Sequence, residues 1–181
     1  FIHRGHLHAP YAKLFIPPRD GTPMSRTATS RYGRGRAIEK WWLSTNACPR
    51  CAATLRHHER ETGTTADGRC TNPLCAVAFS IKSMKKISGR ICVTQFANRK
   101  PELDVAFPMS TIIVLVDSTK METVAVAMAV DIAIDGWAWN IRQKHGKTYY
   151  VLRLRVKALK EAAVRSARRG MEFVEGGGNA P

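Results

Sequence analysis

The chain has 181 residues, a mass of 20.1 kDa, a formal charge of +15 and a pI near 10.2. An apolar share of 44% supports a packed core and excludes wholesale disorder, and the length suits one domain with tails. No apolar run approaches the ~18 residues that a membrane-spanning helix needs, so the chain is not expected to span a bilayer. A charge of this size calls for a polyanionic partner, nucleic acid first and an anionic membrane surface as the rival. The reading adopted is nucleic acid, with no membrane partner.

Residues 1–36 read as an extended basic arm. Pro10, Pro17, Pro18 and Pro23 interrupt any period, and Arg31, Arg34 and Arg36 close the arm between glycines as candidate phosphate contacts. Residues 1–40 carry eight Lys or Arg against two acids. With a first residue that is Phe1 rather than Met, this resembles the mature stub behind a mitochondrial-type presequence and points to the mitochondrial matrix.

A globular unit is expected over residues 37–175. Residues 37–43 form a short amphipathic segment leading into a cysteine-bearing stretch; one of Trp41 and Trp42 packs under that stretch and the other against a sheet. Cys48 and Cys51 stand as C-x2-C, with Cys70 and Cys75 as C-x4-C beyond an eighteen-residue loop. Two short knuckles facing each other across a loop supply the four tetrahedral thiolates that Zn²⁺ prefers, so residues 48–82 are expected to be a zinc ribbon with structural Zn²⁺. His57 and His58 lie between the knuckles, but four thiolates already complete a shell. Five cysteines with this pairing do not resemble a secreted disulfide framework, and the fifth, Cys92, is expected to be a small core residue.

Lys82, Lys85, Lys86, Arg90, Arg99 and Lys100 come next along the chain without an acid among them. Residues 111–116 and 123–130 are nearly continuous apolar runs, expected as two central strands covered on both faces and joined by a turn over 117–122. A hairpin comes after them, with strands over 137–143 and 148–156 and a Lys144–Lys147 turn. In the returning strand Tyr150, Leu152, Leu154 and Val156 should face the core. Tyr149, Val151, Arg153 and Arg155 should form a basic, partly aromatic face. Residues 157–169 have a helical pattern that Gly170 should stop, and 176–181 should be a flexible tail. The fold class expected is α+β.

Around the cysteines, Trp41 stands seven residues before Cys48 and Asp67 stands three before Cys70. After the fourth cysteine the chain continues Phe79, Ser80, Ile81, Lys82, Ser83, Met84, Lys85. Over 41–86 this arrangement resembles the catalytic domain of the methyl-directed DpnI-type restriction endonucleases (the dam-replacing family), whose corresponding run is Phe-Glu-x-Lys-Ser-x-Lys. The resemblance implies a zinc ribbon inserted in a restriction-endonuclease-like mixed sheet with flanking helices. If the site is active, Asp67 would be a metal ligand and Lys82 would act at the attacking water. Ser80 stands where that family has its essential glutamate, and Mg²⁺ needs charged oxygens to replace its hydration shell. The expectation is therefore a degenerate, non-catalytic relative.

The function expected is a non-enzymatic nucleic-acid-binding structural protein, an RNA-binding component of a mitochondrial ribosome with neighbouring ribonucleoprotein subunits. Its contacts are expected from Arg31, Arg34, Arg36, Lys82, Lys85, Lys86, Arg90, Arg153 and Arg155, with Tyr149, Trp137 or Trp139 available to stack on bases. Two alternatives stand beside it: an active Mg²⁺-dependent DNA endonuclease, and a DNA-binding regulator built on the ribbon, as in small phage-type transcriptional activators that share the cysteine spacing.

Overall fold

A computed structural model describes residues 31–58 and 66–176, with side chains described over 35–58 and 66–169. The elements are α1 (Arg31–Thr45), β1 (Leu55–His57), β2 (Gly68–Cys70), β3 (Ala78–Met84), β4 (Arg90–Ala97), α2 (Leu103–Ala106), β5 (Ile112–Asp117), β6 (Glu122–Met128), two 3₁₀ turns, β7 (Trp137–Lys144), β8 (Lys147–Arg155) and α3 (Val156–Gly176). They form an α+β architecture with two sheets. One is five-stranded in the order β1-β2-β3-β5-β6, and the other is three-stranded in the order β4-β8-β7. Only β3 and β5 pair in parallel among the described strands; the others are antiparallel.

The parallel pair explains the continuous apolar run of β5. Flanked by β3 and β6, this strand is buried from Ile112 to Val116, and its side chains enter two cores by turns. Ile112, Val114 and Val116 join Phe79 and Ile81 beneath α1. Ile113 and Leu115 face the second core, with Leu152, Leu154 and Leu159 from the three-stranded sheet and α3. The five-stranded sheet is thus covered by α1 and the cysteine region on one face, and by α3 with the smaller sheet on the other. No helix of the described residues is long and apolar enough to cross a membrane.

Several expectations need correction. The arm is not extended throughout: α1 begins at Arg31, so residues 31–36 are helical, and residues 1–30 lie outside the described residues. β5 is central, but β6 is an edge strand whose Ala125 and Ala127 alone are buried. Cys92 is exposed, because the period of β4 turns Ile91 and Val93 inward and Cys92 outward. Gly170 does not end the last helix, which runs on to Gly176; a helical glycine costs only about 1 kcal/mol. The expected tail over 177–181 lies outside the described residues.

The hairpin is as the alternation predicted. His145 and Gly146 both adopt positive φ, 52° and 70°, the two-residue turn whose twist matches antiparallel strands. Val151 departs from the expected face only in burial: it is 1% exposed among the residues that flank it.

Candidate metal centre and basic sheet face

The two knuckles are built alike. Ala52 donates its backbone N–H to the Cys48 carbonyl at 2.8 Å, and Ala76 donates to the Asn72 carbonyl at 2.8 Å. Each alanine directly follows the second cysteine of its knuckle, and each has positive φ, 61° and 46°. The left-handed conformation closes both turns at a cost of about 1–2 kcal/mol per non-glycine residue. The antiparallel pair β1–β2, in register at Leu55–Cys70 and His57–Gly68, holds the knuckles together.

The ligand atoms of Cys48, Cys51, Cys70 and Cys75 all lie within 4.8 Å of one another. Cys48 and Cys75 sulfurs stand 3.8 Å apart, and Cys51 and Cys70 sulfurs 3.4 Å apart. Four thiolates around a tetrahedral ion with a metal–sulfur bond near 2.3 Å would sit about 3.8 Å from one another. The cluster therefore fits a metal ion of this kind, and the fit is consistent with zinc. Burial, the largest influence, pushes the Cys48 thiol far above its ordinary value, against backbone N–H groups of Arg50 and Cys51. Burial also pushes Cys70 up. At Cys51 the upward push of burial is outweighed by the Ala53 N–H and the neighbouring sulfurs, which bring it down. His57 and His58 stand outside the cluster: His57 Nε2 lies 3.7 Å from the Glu39 carboxylate, and His58 Nε2 accepts from Arg69 Nε at 3.1 Å.

Helix α1 lies directly on this unit. Ile38, Trp42 and Leu43 are buried against β1–β3. Trp42 tilts onto Phe79 with centroids 5.9 Å apart, and its Nε1 donates to Thr123 Oγ1 at 2.9 Å, anchoring α1 to β6. Trp41 packs half-buried against the same core. Glu39, which the sequence did not single out, is 7% exposed on this helix; its place one helical turn before the buried Leu43 was the available signal.

Asp67 stands just before β2, and Ser80 and Lys82 lie on the adjoining β3. Asp67 is 3% exposed, and its Oδ2 accepts the Ile81 backbone N–H at 2.7 Å. Ser80 and Lys82 share a face of β3, opposite Ile113 and Leu115. Ser80 is wholly buried and its hydroxyl has no hydrogen-bond partner among the described residues. Lys82 is half-buried, whereas Lys85 and Lys86 are exposed in the turn after β3.

The remaining basic candidates do not form one surface. Arg36 lies on α1, and the side chains of Arg31 and Arg34 lie outside those described. Arg90, Arg153 and Arg155 do come together, on the outer face of the three-stranded sheet. Arg90 pairs directly with Arg155, and Arg153 sits between Cys92 and Ala138. Arg142 joins them opposite Tyr149; the alternation of Trp137, Trp139 and Ile141 with Ala138, Asn140 and Arg142 was the available signal. Asp135 holds Arg155 at 2.7 Å from the rim of this face. Trp137 and Trp139 are turned away from it. Trp137 packs on Phe107 at 5.7 Å and Trp139 on Phe96 at 6.3 Å, each half-buried against the second core.

Comparison with protein-family models, characterised proteins and solved structures finds no match for this chain.

Proposed function

We propose that this protein binds nucleic acid without cutting it, and that the phosphate backbone lies across the outer face of the three-stranded sheet. The observation that carries this reading is the cross-strand pair Arg90–Arg155, with Arg153 and Arg142 on the same face. Like charges directly opposite one another destabilise a sheet, so a polyanion that neutralises them relieves a cost built into the fold. Tyr149, half-buried on that face, gives an unpaired base a ring to stack on. That favours single-stranded RNA over duplex DNA.

In this account Zn²⁺ bound by Cys48, Cys51, Cys70 and Cys75 is structural. It clips the two knuckles and fixes β1 and β2 as the end of the five-stranded sheet. The fold is a degenerate restriction-endonuclease-like one, a reading supported by the mixed sheet, with Asp67 just before β2 and Lys82 on the adjoining β3. The lack of cutting is supported by the use of the Asp67 carboxylate on a backbone N–H and by the neutral, enclosed Ser80 beside it. The assembly proposed is a ribonucleoprotein particle of the mitochondrial matrix, concretely a ribosome, on the strength of the +15 charge and the basic composition of residues 1–40.

Gel-shift titration of the zinc-loaded chain with a single-stranded RNA and with duplex DNA tests the reading, alongside plasmid nicking in Mg²⁺ or Mn²⁺. Tighter binding of RNA without nicking is expected. Metal-dependent nicking abolished by Asp67→Ala would instead establish an endonuclease.

A further inference from the structure

A cleft of about 390 Å³ opens between the second knuckle and the segment from α2 to β5, on the face of β2 and β3 that points away from α1. This volume lies within the range of about 300–1,000 Å³ typical of small-ligand sites. Arg50 and Arg69 line it, together with Ala78, Phe96, Val105 and Ser110, and among the described residues no carboxylate does.

Arg69 is held in place. Its Nε donates to His58 Nε2 at 3.1 Å and its Nη1 to the Ala76 carbonyl at 3.4 Å, and Nη2 meets no acceptor among the described residues. Directly across the β1–β2 ladder stands Arg56, a second like-charge pair in this molecule. A guanidinium braced on one side, crowded by another arginine and open towards a cleft with no acid among its described lining residues suits a phosphate. The rest of the lining suits a flat, weakly polar body: the Phe96 ring with Ala78 and Val105 on the walls, and the Ser110 hydroxyl as a polar point.

We propose that this cleft receives one unpaired nucleotide, with its phosphate on Arg69 and Arg50 and its base beside Phe96. The inference rests on the nucleic-acid reading and deepens it: the outer sheet face holds the backbone of the strand, and the cleft takes a single nucleotide of it. Base–aromatic contact of this type tolerates any base and needs no duplex.

The test is titration of the zinc-loaded full chain with adenosine 5′-monophosphate, adenosine and inorganic phosphate, monitored by the amide shifts of Ala78, Val105 and Ala106. The monophosphate is expected to bind at least tenfold more tightly than adenosine or phosphate alone. Arg69→Met should weaken it at least tenfold, and Lys160→Ala, an exposed position on α3 away from the cleft, should leave it unchanged. Because Arg69→Met touches the β1–β2 ladder, Val105→Glu provides a second variant. Val105 is 72% exposed at the cleft, so an acid there repels the phosphate without disturbing the core, and tenfold weakening is again expected. Equal binding of adenosine, or binding in both cleft variants as tight as in the unaltered chain, would overturn the proposal, as would an equal loss in Lys160→Ala. Binding of a single-stranded RNA 20-mer on the same samples separates the two readings. If the RNA binds and the monophosphate does not, the cleft fails and the sheet face stands; if neither binds, both fail.

Discussion

Gly68 lies so close beneath Leu43 that a Cβ at position 68 would stand 2.6 Å from Leu43 Cδ1 and 2.8 Å from the Arg56 carbonyl oxygen. The leucine could move, but the backbone of β1 could not. Gly68→Ala is therefore expected to push α1 off the β1–β2 ladder and to destabilise the protein by about 1–3 kcal/mol, the usual range for overpacking. Urea unfolding checks this, and an unchanged midpoint would mean that α1 is not seated as described.

The two left-handed alanines predict the opposite sign. Ala52→Gly and Ala76→Gly each relieve about 1–2 kcal/mol of backbone strain, against roughly 0.5–1 kcal/mol of extra unfolded-state entropy. Each should stabilise the protein by about 0.5–1 kcal/mol with zinc retained. Thermal melts of the zinc-loaded variants would reveal the gain, and a loss of stability in both would contradict the knuckle geometry.

Zinc binding should release protons. Burial favours the protonated thiols of Cys48 and Cys70 in the metal-free fold, so both remain protonated through neutral pH and Zn²⁺ must displace them. Apparent affinity therefore falls as pH falls. If these two thiols each release one proton, the loss is about 100-fold per pH unit. Chelator competition at pH 6 and pH 7 measures it. Replacement of Cys48 by Ser should abolish tight binding and lower Tm by on the order of 10 °C.

Ser80 offers a clean contrast. Its hydroxyl is fully buried without a partner among the described residues, so Ser80→Ala should be neutral or stabilising by up to about 1 kcal/mol. Ser80→Glu, which would recreate a nuclease-like pair with Asp67, forces a larger charged group into an enclosed position. It should cost at least ~2 kcal/mol rather than leave the fold intact. A stable Ser80→Glu variant that gains Mg²⁺ affinity would show that the groove beside Asp67 is still open.

What the sequence disclosed depended on how local the signal was. The cysteine spacing and the β7–β8 hairpin were legible because metal geometry and two-residue alternation act over a few residues. The start of α1 was hidden by Gly33 and Gly35, whose low propensity is overridden when Ile38, Trp42 and Leu43 bury against β1–β3. The edge position of β6, and the split of β4 and β5 into different sheets, depend on pairings between distant residues that no single segment encodes. The basic face was half visible. Arg153 and Arg155 alternate within one strand, but only the β4–β8 register sets Arg90 opposite Arg155. The cleft was invisible, because it is lined by the knuckle, β2, β3, β4 and the α2–β5 segment at once.

The decisive measurement is the salt dependence of RNA binding to the zinc-loaded chain and to the Arg153→Ala/Arg155→Ala double variant. Each phosphate contact on a single strand contributes about 0.7 to the slope of log affinity against log salt. Loss of two contacts should make the slope shallower by about 1.4 and weaken binding at least tenfold at low salt, with zinc content unchanged. An unchanged slope and affinity would show that the arginine face of the three-stranded sheet does not carry the nucleic acid.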